Sequence, residues 1–322
     1  MTTTTTTTTT TGFQHIPVLL GPVLDLLADT PGTRFVDATL GGGGHSQALL
    51  DRRPDIRLLG LDRDPAAIAA ASERLRPYAD RLTAVQATFS SLEQVVHDHG
   101  WSQVDALLMD IGVSSPQLDL PDRGFSFRFD GPLDMRMDPT HGPTAADLLN
   151  TLPERELADI LYRYGEERRS RQVAAEIVRR RRERPWTRTG ELAELLERVV
   201  GRAHQHGLPP ATRCFQALRI AVNDELGELE RTLRQAVRLV AVGGRIAVIT
   251  FHSLEDRIVK QFFREQAATC TCPPGLPVCV CGKVSTLRIL TPKPVTASEQ
   301  ELQDNPRAAC AKLRAATVIH NL

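Results

Sequence analysis

The sequence predicts an α/β fold in which a mainly parallel sheet is interrupted by an all-helical insertion. Short apolar runs alternate with helical patterns between residues 34 and 110, which is typical of successive βαβ units. The alternation then stops, and helical periodicity alone continues from 145 to 213. The strongest β run of the chain, 246–251, follows it. We therefore expect a sheet domain of residues 13–138 and 214–322, with a helical domain of residues 139–213 inserted into it.

The overall composition excludes several classes of protein. The 322 residues contain 39 basic and 39 acidic side chains, so net charge identifies no partner. No window reaches the roughly 18 apolar residues of a membrane span, and no signal peptide is recognisable. We therefore expect a soluble, cytoplasmic protein with no membrane partner. Residues 1–12, mostly threonine, are low in complexity and are expected to be a disordered tail.

The first strand, 34–38, leads into a glycine loop that predicts a cofactor pocket. Glycines let a ligand lie directly against the backbone. A dinucleotide-binding Gly-x-Gly-x-x-Gly pattern fails in both registers, because Ser46 or Gln47 stands at its last position. The pattern Asp-x-x-x-Gly-x-Gly fits instead and favours S-adenosylmethionine, although a purely structural turn stays open. The residues that carry this prediction are Asp37, Gly41 and Gly43.

Three further strand ends are expected to meet at the same pocket. Strand 57–61 ends in Asp62, which is one βαβ unit after the loop and is placed to accept the hydroxyls of a ribose. Strand 82–86 is followed by Phe89, whose ring could cover an adenine or belong to the core. Strand 104–109 ends in Asp110. Open α/β sheets bind ligands at the carboxyl ends of their strands, so these residues should converge with Asp37.

The inserted segment contains an unusual concentration of arginine. A long polar and aromatic loop, 123–139, precedes it and indicates either function or disorder. The block could neutralise RNA phosphates, and an exposed Trp186 could stack on a base; a solvated helix face is the alternative. Its members are Arg168, Arg169, Arg171, Arg179, Arg180, Arg181, Arg182, Arg184 and Arg188.

The chain is expected to return to the sheet through one long amphipathic helix, 214–240. Strand 246–251 then places His252 at its carboxyl end, where it is either a proton-handling group or a histidine satisfied by local hydrogen bonds. Further on, two Cys-x-Cys pairs flank a proline-rich turn. Four thiolates on two arms could bind zinc tetrahedrally, with free thiols as the alternative. These candidate metal ligands are Cys270, Cys272, Cys279 and Cys281.

The ordered motifs of the chain resemble one family closely, the bacterial small-subunit (16S) ribosomal RNA cytosine-N4 methyltransferases known as MraW or RsmH. The resemblance runs from about residue 15 to the carboxyl terminus and implies a class I, Rossmann-like methyltransferase sheet with an inserted helical substrate domain. The implied cofactor contacts are Gly43, Gly44, His45, Asp62, Phe89, Asp110 and Gln117. The motifs lie at 15–19, 41–45, 61–65, 110–117, 123–127, 130–138, 164–168, 212–219, 222–226 and 251–258.

The chemistry implied by the resemblance is methyl transfer to the exocyclic N4 amine of a cytidine in 16S ribosomal RNA, which tunes the decoding centre of the small ribosomal subunit. Asp110 and Ser114 are the expected acceptors for the amine, His252 is a second candidate, and Phe125 or Phe127 could stack on the base. The cysteine segment would hold at most a structural zinc. An N4-cytosine DNA methyltransferase and a non-catalytic ribosome-assembly module are the alternatives. The oligomeric state is open, and a homodimer is compatible with the sequence.

Overall fold

A seven-stranded sheet with the order β3-β2-β1-β4-β5-β7-β6 organises the part of the chain that the computed structural model describes, residues 17–201, 209–272 and 281–321. β7 runs antiparallel to both of its neighbours, whereas β1 to β5 are mutually parallel. This confirms the predicted α/β fold class. The strands are β1 Arg34–Asp37, β2 Arg57–Asp62, β3 Leu82–Gln86, β4 Val104–Asp110, β5 Val240–Thr250, β6 Leu287–Ile289 and β7 Lys312–Val318.

The strand register brings the predicted ligand-binding strand ends to one edge of the sheet. Asp37 is level with Gly60 on β2 and with Leu108 on β4, so Asp62 and Asp110 each extend two residues beyond it. Helices cover both faces of the sheet. They are α1 Leu20–Leu27, α2 Gly44–Arg52, α3 Pro65–Arg74, α4 Leu92–Asp98, α5 Ser115–Asp119, α11 Glu225–Leu239, α12 Ser253–Ala267 and α13 Glu299–Asp304.

The apolar residues of β4 divide between two cores because side chains alternate along a strand. Leu107 and Met109 pack in the core beneath α4, α11 and α12, whereas Ala106 and Leu108 pack in the opposite core with α1 and α2. A sheet with both faces buried explains why the strands read as continuous apolar runs. Among the described helices, none is long and apolar enough to cross a membrane.

A third core lies within a helical unit. Its helices are α6 Ala145–Thr151, α7 Glu154–Gly165, α8 Ser170–Arg181, α9 Thr189–Val200 and α10 Pro210–Asn223. The core also includes Phe125, Met135 and Leu218, which lie outside the predicted limits of 139 and 213. The loop before the insertion is therefore packed into the helical unit rather than left free.

The expectation of an exposed Trp186 is wrong. The side chain is fully buried in the helical core, its Nε1–H donates to the Ile177 carbonyl at 3.2 Å, and the Arg180 guanidinium covers its ring at 3.8 Å. Burial removes the apolar body of the indole from water, and the bond to the Ile177 carbonyl satisfies its single N–H donor. Trp186 therefore stabilises the helical unit and cannot stack on a base from this position.

The single helix expected over 214–240 is also wrong. The helix is interrupted at Asp224, whose φ is 48°, so that α10 ends at Asn223 and α11 begins at Glu225. The apolar face of α10 packs in the helical core, whereas that of α11 packs on the sheet. One straight helix could not pack its apolar face in both cores, because the two cores lie in different directions. The break places Asn223 and Glu225 at the junction between them.

Candidate functional site

The four glycines of the loop serve two different purposes. A Cβ on Gly43 would lie 2.7 Å from Leu75, and one on Gly44 would lie 2.5 Å from Pro17. Gly43 also has a φ of 74°, which L side chains rarely adopt. A Cβ on Gly42, in contrast, would meet no described atom within 4 Å. Gly43 and Gly44 therefore let the loop pack closely, and Gly42 faces open space that a ligand can enter.

Asp37 supports the loop from below. It is 2% exposed, and its carboxylate accepts hydrogen bonds from the Ser46 hydroxyl at 2.7 Å and the Thr39 amide at 3.1 Å. Burial is the main cause that raises its pKa above the usual range. Its contacts fix the entry to α2, and its predicted role in binding the cofactor is untested.

Asp62 holds the other side of the loop. Its carboxylate accepts from the Gly41 amide at 2.8 Å and from the Asp64 amide at 2.9 Å. Burial raises the pKa of Asp62 to about 6 despite these two hydrogen bonds. A carboxylate has about four lone-pair sites, so two acceptor positions stay available for the hydroxyls of a ribose.

Asp110 and His45 form a buried polar pair at the carboxyl end of β4. The Asp110 amide donates to the Thr39 hydroxyl at 2.6 Å, which fixes the backbone, and its Oδ2 lies 3.5 Å from His45 Nε2. His45 is only 7% exposed. Asp110 Oδ1 and both ring nitrogens of His45 nevertheless lack a hydrogen-bond partner among the described residues. Buried polar atoms without partners are costly, and a polar ligand that bonded to this pair would remove that cost.

These groups fit S-adenosylmethionine. Asp110 Oδ1 can accept from its ammonium group, Asp62 can accept from its ribose, and Gly42 lets the molecule approach the backbone of the loop. No described side chain caps the amino end of α2, whose free amides favour a carboxylate. The loop lacks the third glycine of the Gly-x-Gly-x-x-Gly pattern, which a dinucleotide-binding loop needs to hold a pyrophosphate. The unpartnered atoms of Asp110 and His45 are the observation that carries this fit.

Gln117 links the segment after β4 to the exit of β2. Its Oε1 accepts from the Ser114 amide at 3.0 Å, and its Nε2 donates to Asp64 Oδ2 at 3.0 Å. Arg123 reaches the same Asp64 oxygen at 2.8 Å. Gln117 is 5% exposed, so a contact with the cofactor would use its second N–H, and that predicted role is untested. Ser114 is the N-cap residue of α5, which follows β4.

The aromatic side chains proposed for stacking are largely occupied by the protein. Phe125 is 6% exposed in the helical core, and Phe127 packs edge-to-face on Phe215 with ring centroids 5.1 Å apart. Phe89 is half-buried against the sheet core, with the Arg63 guanidinium 5.8 Å above its ring. One face or edge of Phe89 and Phe127 is still available, whereas Phe125 offers a target base almost no surface.

His252 caps the helix that follows β5. Its Nδ1 accepts from the Glu255 amide at 3.4 Å, and Glu255 Oε2 accepts from the Phe251 amide at 2.9 Å. Because Nδ1 acts as an acceptor, the neutral ring must carry its proton on Nε2, which lies 3.0 Å from Glu255 Oε1 without an aligned hydrogen bond. This geometry matches the alternative of a locally bonded histidine. It leaves no lone pair on Nε2 to accept a proton or a metal ion.

A buried ion pair that the sequence motifs did not reveal lies beside His252. Arg219 and Glu225 form two parallel hydrogen bonds of 2.8 Å, and Glu225 is 3% exposed. Glu225, His252 and Glu255 are close enough together to share a metal ion. The protonated Nε2 and the guanidinium already oppose the two carboxylates, which disfavours a cation there. Arg219 and Glu225 are six residues apart and lie on two helices separated by a break, so no helical periodicity in the sequence indicated that they pair.

Three of the predicted metal ligands come together at the surface. The sulfur atoms of Cys270, Cys272 and Cys281 lie within 4.8 Å of one another. The Cys272 amide points at Cys270 Sγ at 3.3 Å, and the Thr271 amide points at Cys281 Sγ at 3.4 Å. Cys279 lies outside the described residues.

The sheet order, the glycine loop and the polar strand ends define a Rossmann-like, class I methyltransferase that uses S-adenosylmethionine. Comparison with known proteins agrees: the model of the MraW methylase family matches residues 12–319, and the chain belongs to that family. A relative from Carboxydothermus hydrogenoformans named ribosomal RNA small subunit methyltransferase H is 53% identical over 304 residues, 94% of this chain and 97% of that protein. Those of the same name from Trichlorobacter lovleyi and Heliobacterium modesticaldum are each 52% identical, over 94% and 95% of this chain and 98% and 99% of theirs.

Proposed function

We propose that this chain methylates the exocyclic N4 amine of a cytidine in small-subunit (16S) ribosomal RNA. Two kinds of observation support the proposal. The relatives that match nearly the whole chain carry the name of a small-subunit ribosomal RNA methyltransferase. The structure contributes a carboxylate oxygen of Asp110 that has no hydrogen-bond partner among the described residues, at the carboxyl end of β4.

The segment after β4 supplies the groups that handle the amine. The lone pair of the N4 amine is delocalised into the ring, so acceptors must draw its N–H bonds away from the ring plane. Asp110 and Ser114 provide oxygen acceptors on either side of Gly112. A Cβ on Gly112 would lie 3.0 Å from the Phe251 ring, and its φ of 142° bends the chain sharply. L side chains rarely adopt this conformation, so Gly112 sets the path of the chain between the two acceptors.

Bound S-adenosylmethionine supplies an electrophilic methyl group on its sulfonium sulfur. The N4–C bond forms as the S–C bond breaks, and the amine then loses one proton. Asp110 can hold that proton before it passes to water, because the Thr39 hydroxyl fixes its backbone amide and so holds the residue at the carboxyl end of β4. Asp110 Oδ2, which lies 3.5 Å from His45 Nε2 without a hydrogen bond, is the oxygen that remains for the amine when Oδ1 accepts from the cofactor. His252 is a predicted alternative acceptor, but its cap geometry favours Asp110.

The deciding experiment maps N4-methylcytidine in small-subunit RNA from cells that lack this protein. We expect one modified position to disappear, to return with the wild-type gene and not to return with Asp110→Asn, which keeps the shape of the side chain. An unchanged pattern would contradict the proposal. Methylation of duplex DNA but not of RNA would identify a DNA enzyme, and full rescue by Asp110→Asn would indicate a non-catalytic assembly factor.

We also propose that the cysteine segment binds a structural zinc ion through Cys270, Cys272 and Cys281, with Cys279 as the fourth ligand. The clustered sulfurs and the amides aimed at two of them support it, since such hydrogen bonds stabilise metal-bound thiolates. We expect stoichiometric zinc in the purified protein. Cys272→Ser should lose the metal and keep methyl transfer, whereas the exposed Cys310, changed to Ser, should keep both. Purified protein without zinc would refute this assignment.

A further inference from the structure

The arginine block of the helical unit divides into two sets. Most of its guanidinium groups are used within the fold. Arg181, for example, donates to the Leu149 and Leu152 carbonyls at 2.9 and 2.7 Å and so closes the end of α6. The others engaged in this way are Arg169 with Val199, Arg179 with Glu176, Arg180 and Arg184 with Glu191, and Arg188 with Asp130.

The second set gathers where α7 turns into α8. Arg163 lies near the end of α7, Arg168 lies in the turn, and Arg171 lies in the first turn of α8; all three are exposed. None of the three makes a side-chain hydrogen bond or ion pair within residues 17–201, 209–272 and 281–321. The neighbouring Tyr162 is 62% exposed, the highest value among the large exposed hydrophobic side chains of those residues. We name these four residues the α7–α8 corner.

The two acidic residues of the turn itself, Glu166 and Glu167, do not pair with the arginines of the corner. Glu167 is 1% exposed, and its carboxylate accepts from the Arg169 amide at 2.8 Å, so it faces inward. Glu166 is exposed but lies 3.7 Å from Arg257. The corner therefore presents an excess of positive charge beside an exposed aromatic ring.

The corner lies close to the edge of the sheet that holds the methyl-transfer site. The Glu166–Arg257 contact joins the α7–α8 turn to α12, about one helical turn after His252. Gly165 packs so tightly against α10 that an added Cβ would lie 2.6 Å from the Arg213 carbonyl. The Glu166–Arg257 contact therefore brings the corner next to α12, the helix that follows β5.

We propose that the α7–α8 corner binds the RNA strand that carries the target cytidine, with Arg163, Arg168 and Arg171 on its phosphates and Tyr162 stacked on a base. Guanidinium groups free of internal partners can neutralise phosphates without breaking the fold, and aromatic stacking suits single-stranded RNA. This inference rests on the proposed function and identifies the surface that serves it.

The test compares two triple variants with the same change of charge. One is Arg163→Gln/Arg168→Gln/Arg171→Gln. The control is Arg34→Gln/Arg52→Gln/Arg57→Gln, whose residues are also exposed and whose side chains have no partner among the described residues. Arg34 and Arg57 begin β1 and β2, and Arg52 ends α2, so the control removes charge from the opposite edge of the sheet. Both variants should bind S-adenosylhomocysteine like the wild type.

Methylation kinetics and binding to undermethylated small ribosomal subunits are measured over a series of salt concentrations. For the corner variant we expect KM to rise at least about tenfold with kcat retained, and the slope of log K against log salt to fall in magnitude by about 2, at about 0.7 per lost single-strand phosphate contact. The control should match the wild type. Equal effects of the two variants, or none, would overturn the proposal.

Substitutions of Tyr162 test base stacking independently of the arginine variants. Tyr162→Phe should keep RNA affinity because it keeps the ring, whereas Tyr162→Ala should weaken binding by about 5- to 150-fold, the range expected for one stacked base. Equal affinities for the two variants would refute stacking. If the wild-type protein methylated no RNA at all, the proposed function would fail first, so the two failures are distinguishable. A corner variant that methylates purified subunits normally but loses an acidic protein partner would likewise refute RNA binding.

Discussion

Gly42 and Gly43 have different surroundings, so substitutions at these two adjacent positions should have opposite effects. Gly42→Ala adds a methyl group to open space, where no described protein atom lies within 4 Å. Gly43→Ala adds the same group 2.7 Å from Leu75, at a φ of 74°. The first change should therefore affect the ligand, and the second should affect the fold.

The expected magnitudes follow from these contacts. For Gly43→Ala, a left-handed conformation costs an L residue roughly 1–2 kcal/mol, and overpacking against a buried leucine adds about 1–3 kcal/mol. For Gly42→Ala, the loss of chain entropy in the unfolded state makes the free energy of unfolding unchanged or higher by up to about 1 kcal/mol. A methyl group in the cofactor's space should weaken cofactor binding by roughly 1–3 kcal/mol, or about 5- to 150-fold in Kd.

The assay combines urea unfolding without ligand with calorimetric titration of S-adenosylhomocysteine. A second reading comes from unfolding with ligand: at about 100 times the wild-type Kd, the ligand should stabilise the wild type by about 2.7 kcal/mol, and a variant with tenfold weaker binding by about 1.4 kcal/mol. Gly42→Ala with a wild-type Kd and reduced stability would refute the reasoning, because it would mean that the protein rather than the cofactor fills the space above the loop.

Three further predictions concern the carboxylates and the His252 cap at the same edge of the sheet. Burial raises the pKa of Asp62 from 3.8 to about 6, so the stability that its protonated form contributes should be lost as the pH rises between these values. Cofactor affinity should fall about tenfold for each pH unit below the raised pKa, because the carboxylate form accepts from the ribose. Asp62→Asn should bind the cofactor weakly and show no such pH dependence. Glu225→Gln should lower the free energy of unfolding by about 3–5 kcal/mol, because it leaves Arg219 buried without its charge partner; a cost below about 1 kcal/mol in urea unfolding would contradict a coupled pair. His252→Asn should retain stability within about 1 kcal/mol and turnover within about tenfold, since asparagine also caps helices; a hundredfold loss of kcat in a stable variant would instead support the predicted proton-handling role.

The strand ends were predictable because their signal is local. Asp62 and Asp110 each terminate a continuous apolar run, and parallel strands carry such residues to one edge. The separate roles of the glycines were not predictable, because they depend on Pro17 and Leu75, which are distant in sequence from Gly44 and Gly43. The same spacing that identified a cofactor loop could not tell which glycine faces the cofactor.

The errors in the helical region have a common physical cause. Amphipathic periodicity identifies a helix but does not identify the core that its apolar face joins. A continuous pattern over 214–240 therefore concealed the break at Asp224, where a non-glycine residue adopts a φ of 48°. Trp186 was misjudged for the same reason, because only the tertiary partners, such as the Ile177 carbonyl, decide whether an aromatic group is free.

The polar junction between the sheet and the helical unit connects the two halves of the proposed reaction. The Asn223 side chain accepts from the Met137 amide and donates to the Met135 carbonyl, both at 2.8 Å, and its own carbonyl accepts from Arg63 at 2.9 Å. Met135 is held at a φ of 62°, a strained conformation that these bonds must maintain. The predicted cofactor residues belong to the sheet domain alone, whereas the α7–α8 corner belongs to the helical unit. If both proposals hold, we expect these hydrogen bonds at the junction, rather than the glycine loop, to set the distance from the RNA strand to the methyl donor.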